Sequence, residues 1–165
     1  MHRKQGFSSN GFTLIELIVT VTIVAILATV SMPMLQMTVQ RSKETELRAN
    51  LRQIREAIDA YKKAADEGRI KKNIQDSGYP PSLEVLVNGV VDEKDVAKNK
   101  LKFLRKIPLD PMTKLDSDST DDLPNNWGLR SYESDAAKPV AGDDVFDVYS
   151  LSQQIGINGV PYAKW

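Results

Sequence analysis

From Leu17 to Gln40 the chain carries no charged side chain, and most of that run is Leu, Ile, Val, Ala, Met or Thr. A helix needs roughly 20 such residues to cross the hydrocarbon of a bilayer. The stretch Gly11–Leu35, GFTLIELIVTVTIVAILATVSMPML, therefore constrains the chain more than any other feature. Two residues distinguish it from a plain anchor. Glu16 puts a carboxylate at the border of the apolar run, where an unpaired charge is costly. Pro33 interrupts the run, where a proline removes a helical hydrogen bond and crowds the preceding turn. The run is too long for the apolar core of a secretory signal peptide, about 7–15 residues, and no A-x-A-like cleavage site follows it. An uncleaved anchor whose Glu16 reaches the headgroups stays open as an alternative on these grounds alone.

Past Gln40 the apolar pattern narrows to a stripe. Leu47, Leu51, Ile54, Ile58, Tyr61 and Ala65 recur at alternating intervals of four and three, the signature of a helix with one buried face. Arg48, Arg52, Arg55, Glu56, Asp59, Lys62 and Lys63 fall off the stripe and are expected in solvent. No proline lies between Pro33 and Pro80, so a single helix is predicted from Thr13 to Asp66. Residues 12–40 are its membrane and assembly part, residues 41–66 its amphipathic part, and residues 67–165 a small head packed on the stripe. A coiled coil is the alternative for the stripe, but it covers under three heptads and a globular sequence follows directly.

Ser82, behind Pro80 and Pro81, with Leu83, Leu86 and Val87 on one face, predicts a short capped helix ending near Asn88-Gly89. Another helical turn or two is predicted within Val96–Leu104, and Lys100, Lys102, Arg105 and Lys106 read as a solvated face. Trp127–Tyr132 and Val145–Leu151 predict two strands, although Asp147 spoils one face of the second. An antiparallel pair laid over the stripe would close the core, which makes the class α+β.

The heptapeptide Gly11-Phe12-Thr13-Leu14-Ile15-Glu16-Leu17 resembles the class III signal of type IV pilins and type II secretion pseudopilins. The resemblance implies a leader, residues 1–11, that prepilin peptidase cuts after Gly11, and N-methylation of Phe12 as the new N-terminus. It implies that Glu16 is the glutamate which pairs, in the filament, with the N-terminus of a neighbouring subunit; Pro33 falls where many family members carry a proline. Physical chemistry agrees, because cleavage creates an ammonium at Phe12 and opposite charges attract far more strongly in a low dielectric than in water. Gly78-Tyr79-Pro80-Pro81-Ser82-Leu83-Glu84-Val85-Leu86 resembles the segment after the long helix of the major pseudopilins. Asp110-Pro111 resembles the start of their D-P-W-G segment, with Trp127-Gly128 arriving here only after an insertion, Lys114–Asn126. Asp147-Val148-Tyr149-Ser150-Leu151 resembles their D-V-Y-S-L segment. Beyond it, Ser152, Gln153, Gln154, Ile155 and Asn158 depart from the Gly/Asp-rich loop that holds calcium in that group, so that site is not expected.

The resemblance implies a structural subunit, most like the major pseudopilin, polymerising into a periplasmic filament that drives protein export. Its expected partners are other copies of itself, prepilin peptidase, the inner-membrane assembly platform, other pseudopilins and the lipid bilayer. Arg3 and Lys4 keep the leader cytoplasmic and send the head to the periplasm. The alternative is a type IV pilin or minor pilin of a surface filament serving adhesion, motility or DNA uptake.

Composition narrows the chemistry. The 165 residues include 22 basic and 22 acidic side chains, no cysteine and a single histidine, His2. Loss of the leader removes Arg3, Lys4 and His2 and leaves a net charge of −2, so nucleic acid is not an expected direct partner. Without cysteine there is neither disulfide nor thiolate chemistry, and without histidine the commonest general base is gone. No enzyme activity and no cofactor are expected. The aspartates Asp116, Asp118, Asp121 and Asp122 could ligate calcium, but a solvated acidic loop is the plainer reading.

Overall fold

A computed structural model of the chain describes residues 11–73, 76–113 and 126–165, with the backbone alone for residues 30–33. Its elements are α1 (Leu14–Asp66), α2 (Leu83–Asn88), β1 (Val90–Val91), β2 (Lys100–Leu101), β3 (Trp127–Arg130) and β4 (Asp147–Ser150). A 3-10 turn at Tyr162–Lys164 closes the sequence. Two antiparallel pairs form, β1 with β2 and β3 with β4, which gives the α+β class. The chain divides into two compact units, Met1–Gln40 and Arg41–Trp165.

In the first unit the backbone is helical from Leu14 onward, Pro33 included. The hydroxyls of its apolar run bond back to the preceding turn: Thr20 to the Leu17 carbonyl at 2.9 Å, Thr22 to Ile18 at 2.7 Å and Thr29 to Ile26 at 2.7 Å. A threonine satisfied in this way can sit in an apolar environment without exposing an unpaired donor.

In the second unit the whole stripe is buried, joined by Ala57, Ala64, Ile70, Leu83, Leu86, Leu104, Trp127, Val145, Val148 and Tyr162. Each fully buried Leu or Ile contributes about 1.5–3 kcal/mol, so this face of α1 is the spine of the head. The helix ends in a Schellman motif. Gly68 takes a left-handed φ of +70°, its N–H donates to the Ala65 carbonyl, and the Arg69 N–H reaches back to Ala64 at 2.9 Å. Glycine reaches that conformation with no Cβ penalty.

Two expectations change in the region that follows. Ser82 occupies the N-cap of α2 in an extended conformation, yet its side chain makes no capping hydrogen bond. Burial of Leu83 and Leu86 holds this short helix instead. Val96–Leu104 contains no helix. The Asp95 carboxylate accepts the N–H groups of Ala97 (3.0 Å) and Asn99 (3.2 Å), and this local turn competes successfully with helical bonding. Lys100 and Leu101 then pair with Val91 and Val90. Lys100, Lys102, Arg105 and Lys106 are exposed.

The segments singled out as pseudopilin-like lock into one another. β3 and β4 pair Trp127 with Ser150 and Gly128 with Tyr149. A Cβ on Gly128 would lie 2.3 Å from the Tyr149 ring, so the ring lies against a position that only glycine can occupy without displacing it. Val148 and Ser150 are fully buried on the core side of β4. Ser150 Oγ donates to the buried Asp110 carboxylate at 2.5 Å, and Trp127 Nε1 donates to the Pro108 carbonyl at 2.8 Å. Asn126 Nδ2 reaches the Asp110 carbonyl at 3.4 Å. Both flanks of the insertion are thus tied to one point, which lets the sheet keep its register across it.

Asp147 does not spoil its strand. Its carboxylate accepts Arg55 Nε at 2.7 Å and an Arg130 guanidinium N–H at 3.0 Å. Arg55 also donates to the carbonyls of Val148 (3.1 Å) and Trp165 (2.9 Å). The expectation that Arg55 is merely solvated is corrected: a half-buried guanidinium with five donors in a rigid fork joins helix, strand and tail. Arg48, although exposed, stacks on the Trp165 ring, 4.4 Å from its centroid.

Candidate functional site

The residues singled out for processing and assembly are Gly11, Phe12, Glu16 and Pro33. Gly11 and Phe12 precede the helix in an exposed, non-helical segment. Among the described residues, a Cβ added at Gly11 would meet nothing within 4 Å. No described contact calls for glycine at this position.

Thr13 starts the helix. Its Oγ1 accepts the Glu16 N–H at 3.3 Å, and its carbonyl accepts the Leu17 N–H at 3.2 Å. Thr13-x-x-Glu16 thus has the spacing of a capping box, with the threonine half formed. Glu16 is the acidic residue of the first turn, where a carboxylate also complements the positive end of the helix dipole. It is exposed, four residues from Phe12 and so about one turn away along the chain. A positive charge created at Phe12 would find this carboxylate, on the same chain or a neighbouring one, as its natural counter-ion.

Behind Glu16, the described side chains from Leu14 to Val39 are all exposed. Phe12, Leu14 and Ile15 have relative exposures of 81, 77 and 66%. An apolar surface this continuous exceeds anything a soluble monomer leaves open and marks a site for lipid or for other protein surfaces. The helix is long and apolar enough to cross a membrane. The structure brings Phe12, Thr13 and Glu16 together at one helix end; of Pro33 it describes only the helical backbone.

Among the described residues no group of three or more His, Cys, Asp or Glu side chains is placed to hold a metal ion. Asp116, Asp118, Asp121 and Asp122 lie outside the described residues. The reading of the sequence missed Glu44. It is buried and accepts the Ile157 N–H at 2.7 Å and the Tyr162 hydroxyl at 2.9 Å. A signal for it existed, since Glu44 stands three residues before Leu47 and continues the period of the stripe.

Comparison with known proteins places this geometry. The family described as the prokaryotic N-terminal methylation motif matches residues 6–32, which include Gly11, Phe12 and Glu16. Type II secretion system core protein G of Pseudomonas aeruginosa is 31% identical over 115 residues, spanning 67% of this chain and 71% of that protein. No solved structure is significantly similar. A pilin-like subunit, with an exposed apolar helix leading into a small α+β head, is the class these features define. The chain belongs to the family of type II secretion core protein G, the pseudopilins.

Proposed function

We infer that the chain is a structural subunit of a type II secretion pseudopilus, processed by prepilin peptidase and self-assembled into a filament. One observation carries this reading: the exposed apolar helix begins on a Gly-Phe-x-x-x-Glu segment inside the matched methylation motif. Cleavage falls between Gly11 and Phe12, and Phe12 is then N-methylated. Before assembly the apolar half of α1 resides in the inner membrane, with the N-terminus cytoplasmic and the head periplasmic. Assembly exchanges lipid for neighbouring helices around the same side chains, so the exposed surface is covered in both states. Glu16 of one subunit then faces the Phe12 ammonium of another, and the low dielectric makes an unpaired partner costly. A subunit in wrong register leaves both charges alone. This is register control, not catalysis: the work comes from a cytoplasmic ATPase and the chain itself has no enzymatic role. The assembly platform and the other pseudopilins are its remaining partners.

The test uses the native bacterium. Deleting the gene causes export substrates to accumulate in the periplasm, and complementation reverses this. An unchanged extracellular profile together with lost surface filaments would move the chain to the type IV pilins. Glu16→Ala leaves cleavage intact but lowers filament yield at least tenfold; wild-type yield from that variant would remove the pairing role.

A further inference from the structure

Two surfaces of the head, made from different residues, carry opposite charge. The first is a cleft of about 550 Å³ between the polar side of α1 and the tail. Arg48, Arg52 and Lys164, all exposed, line it. Arg48 is held in place by its stack on Trp165, a contact that covers a face of the guanidinium and leaves its in-plane donors available. Glu56 and Asp59 also line it, but they lie further along α1 than Arg48 and Arg52, and the basic side chains outnumber them. Arg55 is already engaged by Asp147 and two carbonyls.

The second surface is a recess of about 780 Å³ beside the β3–β4 connection. Asp76, Glu133, Asp143 and Asp144 line it against one lysine, Lys71. Asp144 accepts the Ser77 hydroxyl and, at 2.9 Å, the Tyr132 N–H, and Asp76 accepts the Asn73 N–H at 2.8 Å. Glu133 and Asp143 stand exposed beside Tyr132, itself 59% exposed. The Tyr132 ring stacks on Tyr79 and meets Phe146 edge-on, and carboxylates beside its exposed part suit a guanidinium, which can pair with them and lie against the ring.

We propose that the cleft at Arg48, Arg52 and Lys164 receives the acidic recess around Glu133 and Asp143 of a second copy of this chain. The proposal rests on the reading of the chain as a filament subunit and names the contact between heads. The two surfaces share no lining residue, so one copy can offer its cleft to one neighbour and its recess to another, which is a heterologous contact. A two-fold pair would make the same cleft-to-recess contact twice and close on itself. A heterologous contact that does not close generates an open helical polymer. On α1, Arg52 and Tyr61, which lines the recess, are nine residues apart, about 14 Å along the helix axis. Copies joined in this way with their α1 axes parallel are therefore staggered along that axis.

The natural chain contains no cysteine, so an introduced pair reports cleanly. Filaments of a variant carrying Arg52→Cys and Asp143→Cys, once oxidised, yield a ladder of multiples of the subunit on a denaturing gel, whereas each single variant stops at the dimer. A ladder supports the contact. Filaments that run as monomer overturn it and leave the subunit reading standing; absence of filaments from the unsubstituted chain overturns both. Dimer alone from the double variant indicates a closed pair and overturns it. A band that is no multiple of the chain puts another protein in the cleft and also overturns it. In parallel, Arg52→Glu and Asp143→Arg each lower filament yield about tenfold, and the two combined restore it. Failure of the combination to restore yield overturns the proposal. Both positions are exposed, and the head folds in either variant.

Discussion

Glu44 and Glu16 are both glutamates of α1, and their surroundings give them different work. Glu16 lies in an exposed first turn, and on the proposed reading its counter-ion is the ammonium of a neighbouring subunit. Glu44 is only 7% exposed and is satisfied within its own head. Removing it deprives the Ile157 N–H and the Tyr162 hydroxyl of their acceptor. Loss of a buried acceptor costs about 1–3 kcal/mol, so Glu44→Ala lowers the stability of the head by that amount and loosens the tail. Glu44→Gln, which keeps an acceptor oxygen, costs less. Denaturant titration of the detergent-solubilised chain measures both, and equal stability of wild type and Glu44→Ala would dismiss the role. Pattern reading finds apolar stripes readily. A carboxylate in the register of the stripe passes for a solvated residue until its partners, more than a hundred positions away, are known.

At the scale of elements, the connection between α1 and β2 is fixed by carboxylates. Asp92, buried at the end of β1, accepts Arg69 Nε at 3.1 Å and its terminal nitrogen at 2.6 Å. The Arg69 hydrogen bond holds the Asp92 carboxyl below its ordinary range. Asp66, bonded to Lys62, and Asp95, bonded first to the Ala97 N–H, are lowered as well. A carboxylate with a depressed folded-state pKa contributes stability above its unfolded value, about 3.9 for Asp, and loses it as pH falls through the folded value. The melting temperature of the head is therefore nearly constant from pH 7 to about 5 and falls below about pH 4. Asp92→Asn is less stable than wild type at neutral pH and has a shallower acid limb. Circular dichroism melts across that range check this, and parallel acid limbs for the two proteins would refute the assignment. The same region explains the helix wrongly expected within Val96–Leu104. Composition there suits a helix, but the Asp95 side chain takes the amides that a helix would use, and pairing with β1 takes Leu101.

At the scale of the whole molecule, the proposed cleavage after Gly11 divides the history of the chain in two. With its leader the protein has no net charge and ends in a polar, basic segment. Cleaved as proposed, it would present a new ammonium about a turn from Glu16. Among the described residues nothing lies near a Cβ at Gly11, so a bulky replacement there leaves the head intact and, on the proposed reading, acts at cleavage. Gly11→Trp therefore accumulates as the full-length membrane protein with a normal melting temperature and no filaments, whereas Gly11→Ala is cleaved in part. Immunoblotting of membrane fractions distinguishes the two forms, and full cleavage of Gly11→Trp would count against processing at this bond.

The apolar run, the stripe on α1, the motif around Gly11 and Glu16, and both strands of the β3–β4 pair are legible in the sequence. Each is a local periodicity or a contiguous string of residues, and the physics that selects it acts over a few turns. Tertiary structure decided what local pattern cannot express. It joined Asp110, Trp127 and Ser150 across an insertion, made Asp147 and Arg55 partners across the head, and buried Glu44 under the tail. It also set a basic cleft apart from an acidic recess. Those outcomes depend on which distant groups come within hydrogen-bonding or Coulomb range, and only the folded chain specifies that.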